Sequence, residues 1–140
     1  MIRMNDMDIE RIKELYLEKD RNCAEATLIA MNEEYNLSLD ENSIKLIGAF
    51  GGGMGCGKVC GALVASIAVI GRLEIEDRAH ASESLKGHCA EFVSRFEAFA
   101  GGTDCVDVKK KCFVEGERCL KAVLGNAELL AGFIEEKNLA

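Results

Sequence analysis

Three cysteines stand where a helix is expected to begin: Cys23 after Asn22, Cys60 after the glycine-rich stretch 51–57, and Cys105 after Asp104. At a helix start the macrodipole and the unpaired amides favour the thiolate, the form of cysteine that acts as nucleophile and as metal ligand. The other four differ. Cys89 lies inside the apolar stripe Leu85–Phe92–Phe96 and reads as a small buried hydrophobe. Cys119 borders the apolar stripe of the last expected helix and is placed to face a bundle interior. Cys112 and Cys119 are seven residues apart, as are Cys105 and Cys112. Within one straight helix that is about 10.5 Å, too far for a disulfide, whose Cα atoms lie within roughly 7 Å. Cys56 and Cys60 form CxxxC, but Gly55 and Gly57 oppose the helical turn that would bring them together.

The stretch GGMGCGKV at 52–59 comes within one residue of a phosphate-binding loop. Gly52, Gly57 and Lys58 fit, whereas Val59 offers no hydroxyl for a magnesium ion. Such a loop follows a buried strand and needs an acidic strand elsewhere, and neither pattern is present. Amides at the following helix start can still attract an anion. The glycines are expected to form a tight positive-φ hinge that delivers Cys60 to a helix start. Lys58 is a candidate to support a thiolate there, and equally a solvated lysine.

The elements that must position these residues read as helices throughout. Ile9, Ile12 and Tyr16 mark a first helix over 7–19, and Ala24, Leu28, Met31 and Tyr35 a second over 23–35, with Asn22 and Glu25 as its capping pair. A short segment at 41–49 leads into the glycine loop. Val59–Gly71 is apolar all round, so the helix expected at about 58–72 belongs at the centre of a bundle. Residues 79–100 form a fifth helix bearing His80 and His88, both expected on its solvated face. Asp104 and Asp107 can cap a short sixth, and 117–137 form the last. The acidic pairs Glu33–Glu34 and Glu135–Glu136 read as solvated faces. The expected fold is an all-α compact bundle of about five to seven helices, one cysteine-rich domain over 1–140.

Composition narrows the partners. A net charge of −7 argues against nucleic acid, which requires a basic surface. The longest near-apolar run is shorter than the about 20 residues that span a bilayer. The N-terminal MIRMNDMDIERI lacks the apolar core of a secretory signal, so a cytoplasmic location is expected. Seven cysteines in 140 residues is a high count for a reducing compartment, where thiols serve metal binding or redox chemistry more often than structural disulfides. No CxxC occurs, so the patterns of a thioredoxin motif and a zinc ribbon are missing.

NCAEA at 22–26, FGGGMG at 50–55, CGALVA at 60–65, GGTDC at 101–105 and ERCLKAV at 117–123 together resemble the C_GCAxxG_C_C family of redox-active proteins. The resemblance covers most of the chain and implies that Cys23, Cys60, Cys105 and Cys119 are the characteristic cysteines. The family's CGAxxG element matches at Cys60, Gly61 and Ala62, with Ala65 in place of its last glycine. Cys56, Cys89 and Cys112 are extras of this sequence. The resemblance implies redox activity and names no substrate.

Three functions compete. In the first, the four cysteines perform thiol–disulfide exchange as an oxidoreductase or relay, a thiolate such as Cys60 attacking a disulfide of a partner protein or small thiol compound. In the second, Cys23, Cys60, Cys105 and Cys119 hold a metal ion or an iron–sulfur cluster. In the third, the cysteines only pack a helical binding module with a pocket near the glycine loop.

Overall fold

The computed structural model describes residues 6–140. Among them are seven α-helices: α1 (Asp6–Lys13), α2 (Cys23–Tyr35), α3 (Glu41–Gly48), α4 (Gly61–Glu74), α5 (Leu85–Ala100), α6 (Cys105–Cys112) and α7 (Leu120–Glu136). No strand occurs among the described residues, only the isolated bridges Val59–Asp104 and Val114–Arg118. The all-α bundle is as the periodicity predicts. No helix is long and apolar enough to cross a membrane among these residues.

The apolar helix α4 is the hub, packed against α2, α5, α7 and α3. Its side chains Ala62, Leu63, Ala65, Val69 and Ile70 are buried. Small residues set its approach to α2: a Cβ at Gly61 would lie 3.1 Å from the Ala24 Cβ. Ala65, where the family motif has glycine, is fully buried. Against α7 the contact is polar at one point. Ser66 and Asn126 are wholly buried, and the Asn126 amide donates to Ser66 Oγ at 2.9 Å and to the Ala62 carbonyl at 3.3 Å. The two side chains satisfy each other, as buried polar groups must. Away from the glycine loop, Phe92, Phe96 and Phe133 fill the core, with Phe92 and Phe133 edge to face at 5.4 Å.

Several boundaries differ from expectation for identifiable reasons. The chain between α4 and α5 makes a 3₁₀ turn at Ala79–Ala81, so His80 is exposed outside any α-helix. His88 is on α5 but not simply solvated: its Nδ1 lies 2.8 Å from Glu74 Oε1, and its ring meets Phe133 edge-on. Glu33 and Glu136 are likewise engaged, by Arg11 and Arg95. The last helix begins at Leu120, because residues 114–118 close a turn through the Val114–Arg118 bridge. Cys112 therefore ends one helix while Cys119 precedes another, and the single-helix spacing argument does not apply to that pair.

Candidate functional site

Four helix starts meet at one end of the bundle, and each presents a cysteine. Cys23 is the first residue of α2 and Cys105 the first of α6, while Cys60 and Cys119 are the N-caps of α4 and α7. All four line one cavity of about 190 Å³, together with Tyr16, Asn22, Lys109, Phe113 and Arg118. Cys60 and Cys105 are buried, whereas Cys23 and Cys119 are half-buried.

Local sequence explains how each start is fixed. Asn22 and Glu25 form a complete capping box, and Asn22 Nδ2 also donates to the Gly48 carbonyl at 2.8 Å, tying α2 to the end of α3. The glycine loop then turns through positive φ at Gly52, Gly53, Met54, Gly55 and Gly57. Gly53 has no room for a side chain: a Cβ would lie 2.5 Å from the Lys58 carbonyl oxygen and 2.6 Å from Cys105 Cβ. Beyond the loop, the Cys60 amide donates to the Thr103 carbonyl at 2.8 Å and the Cys105 amide to the Lys58 carbonyl at 2.6 Å. That pair of bonds clamps the starts of α4 and α6 side by side. The loop is preceded by a helix rather than a strand, so the phosphate-loop context is absent and the hinge expected from the glycines is present.

Cys23 and Cys60 both line the cavity, and their thiols titrate as an interacting pair in which the thiolate forms on Cys23 and the proton stays on Cys60. The packing here depends on Gly61, since a Cβ there would lie 2.8 Å from Cys23 Sγ and 2.8 Å from the Phe50 carbonyl oxygen. The thiol of Cys23 is pulled down to about 6, by the Cys60 hydrogen bond first and by amides of Gly52, Ala24 and Ala62, against the penalty of burial. The Cys60 thiol is pushed up, by holding its proton against the Cys23 sulfur and by burial. The thiolate expected on Cys60 thus falls on Cys23. One proton serves two sulfurs, and Cys23 has the larger set of amides aimed at it.

The other two cavity cysteines differ. Burial raises the thiols of Cys105 and Cys119, and the charge of Lys109 offsets part of that in both. A helix start by itself does not lower Cys105: no amide is aimed at its sulfur as at Cys23. The amide of Cys119 donates to the Tyr16 hydroxyl at 3.2 Å, and Arg118 stacks its guanidinium 4.2 Å above the Tyr16 ring. Nothing in the sequence pointed Lys109, Arg118 or Tyr16 to a site; only packing brings them to the cavity. Lys58 is exposed and does not line it.

The remaining cysteines lie elsewhere. Cys56 is exposed and contacts the Gly53 carbonyl at 3.6 Å; Cys89 is half-buried beside the core rather than within it; and Cys112 is buried, its thiol raised by desolvation. Among the described residues no three His, Cys, Asp or Glu side chains are arranged to hold a metal ion. The four cavity cysteines surround a space instead of converging on a point.

A family model described as "Putative redox-active protein (C_GCAxxG_C_C)" matches residues 21–133. A protein of Archaeoglobus fulgidus described only as "Uncharacterized protein" is 25% identical over 135 residues, covering 86% of this chain and 89% of its own length. No solved structure matches the chain.

Proposed function

The chain belongs to the C_GCAxxG_C_C family, and on that premise we propose that it is a thiol–disulfide exchange protein in which Cys23 attacks and Cys60 resolves. The observation that carries this reading is that Cys23 and Cys60 line one cavity where Gly61 packs against Cys23 Sγ, an arrangement that favours a thiolate on Cys23 and a proton on Cys60. The thiolate of Cys23 displaces one thiolate from a substrate disulfide and forms a mixed disulfide. Cys60 then gives up its proton to solvent or to the departing thiolate and attacks the Cys23 sulfur. The second substrate thiolate leaves, and a Cys23–Cys60 disulfide remains. The protein dithiol is oxidised by two electrons and the substrate disulfide becomes two thiols.

Burial supports this order. Cys60 is 5% exposed, so an incoming disulfide reaches Cys23 first. Cys105 and Cys119, protonated at the same cavity, would exchange with that disulfide in a relay. A metal centre is the weaker reading, because it needs ligands gathered around one point.

The test uses dithiodipyridine and peptide mass spectrometry. In the wild-type protein the product is a Cys23–Cys60 disulfide. In the Cys60→Ser variant the reaction stops at a pyridylthio adduct on Cys23. An adduct on Cys60 in Cys23→Ser at an undiminished rate, or no linkage between the two in the wild type, would overturn the assignment.

A further inference from the structure

The chain carries 24 acidic and 17 basic residues, yet among the described residues none lining the cavity is acidic, while Lys109 and Arg118 are both there. In a molecule of net charge −7 the space in front of Cys23 is thus locally cationic. Neither cation is explained by an ion pair. Lys109 makes none among the described residues, although other exposed basic side chains, such as Arg11 and Arg95, are paired with glutamates. Arg118 is held without a carboxylate. Its φ of 53° lies in the left-handed region, which costs a non-glycine residue about 1 kcal/mol or more. That conformation is fixed by the Val114–Arg118 bridge, by the hydrogen bond from Nη2 to the Tyr16 carbonyl at 2.5 Å, and by the stack on the Tyr16 ring. The guanidinium therefore arrives at the cavity already positioned, with donors to spare.

The cavity volume limits what these cations can serve. About 190 Å³ is somewhat larger than an engineered cavity that holds benzene, at roughly 150 Å³. Its walls combine apolar groups (Val108, Phe113, Ala122) with the two cations. We infer that the cavity takes a low-molecular-weight disulfide bearing an anionic group, which Lys109 and Arg118 hold while its sulfur meets Cys23. This rests on the exchange reading above and adds the substrate class.

Two reagents separate the inference from that reading. Dithiobis(nitrobenzoate) is a dianionic disulfide and dithiodipyridine is uncharged near pH 7. In each case the Cys23 thiolate displaces one thiolate or its thione tautomer, and the rate is read by absorbance. The quantity of interest is the ratio of the two rates at Cys23 in a variant that keeps Cys23 and Cys60 and replaces the other five cysteines with serine or alanine. We expect Lys109→Gln with Arg118→Gln to lower the ratio by roughly tenfold, as loss of a focusing field should. Lys109→Gln alone, which breaks no ion pair, should lower it by about threefold on the same ground. Salt gives an independent sign. Raising it to about 1 M, where screening acts within about 3 Å, should slow the dianion if the cavity cations govern approach and speed it if the overall −7 does. A ratio unchanged in both variants, or a dianion accelerated by salt, overturns the inference. Failure of both reagents to react at Cys23 would instead overturn the exchange reading on which it rests.

Discussion

The two pairs of cavity cysteines use the same device and obtain opposite results. In one pair Cys23 and Cys60 stand at the starts of α2 and α4; in the other Cys105 and Cys119 stand at the starts of α6 and α7. Only Cys23 is shifted toward the thiolate, while Cys60, Cys105 and Cys119 are all raised. Burial penalises every one of them, so position on a helix is not what separates them. Cys60 also receives amides of Leu63 and Ala62 but keeps the proton of the pair; what separates Cys23 from Cys105 and Cys119 is where the donors point. Cys23 receives the Cys60 thiol and amides of Gly52, Ala24 and Ala62. The amides of Cys105 and Cys119 themselves go to the Lys58 carbonyl and the Tyr16 hydroxyl. A helix start lowers a thiol when its donors are aimed at the sulfur, and holds the backbone in place when they are spent on other oxygens.

Removing the donor thiol should erase the contrast most strongly. Cys60→Ala deletes the leading cause of the Cys23 shift, and a hydrogen bond to a charged group is worth about 1.5–3 kcal/mol. The pH midpoint of Cys23 alkylation should rise from about 6 by roughly one to two units. Cys60→Ser, which keeps a donor, should restore much of the lowering. A midpoint that ignores both substitutions would mean that the amides alone set it.

Crowding the Cys23–Cys60 pair comes next. Gly61→Ala puts a Cβ 2.8 Å from both Cys23 Sγ and the Phe50 carbonyl oxygen, an overpacking that should cost about 1–3 kcal/mol in urea unfolding. Gly87 in α5 has open space around its Cβ position, so Gly87→Ala should stabilise by about 0.5–1 kcal/mol. Equal effects from the two would remove the tight approach of α2 and α4 from the account.

The two pairs can also be compared directly by reactivity. At pH 6.5 the greater thiolate fraction of Cys23 outweighs its lower intrinsic nucleophilicity, so it should label at least about tenfold faster than half-buried Cys119. Competitive alkylation read by peptide mass spectrometry measures this. Comparable rates would place the thiolate elsewhere.

The same shift also reads out in stability. Cys23 lies below its ordinary value of 9.0 in the folded chain, so between about 6 and 9 the unfolded chain binds more protons. Its contribution is therefore present above the ordinary value and is lost as pH falls through about 6. The urea midpoint of wild type relative to Cys23→Ser should rise between pH 6 and 8; a flat difference would contradict the depressed value.

Much of this was legible in the residues. Asn22 and Glu25 announce the start of α2, and the apolar run after Val59 announces a central helix, because capping and burial patterns are local properties of a chain. The glycine stretch announced a hinge for a similar reason: positive φ is cheapest where there is no Cβ. Cys119 was harder to place, since the Val114–Arg118 bridge that delays α7 joins residues through a turn without a strong signature.

What the sequence determined by itself is the helical bundle and three of the four helix starts at which its cavity thiols stand. Tertiary structure decided which thiol ionises and what surrounds it. Tyr16 and Cys119 are 103 residues apart, yet hydrogen-bond to each other, and Cys23 Sγ packs beside Cys60 where Gly61 leaves no room for a Cβ between α2 and α4. Ionisation depends on donors within a few ångströms of the sulfur, and such distances between remote segments are fixed only when the chain has packed.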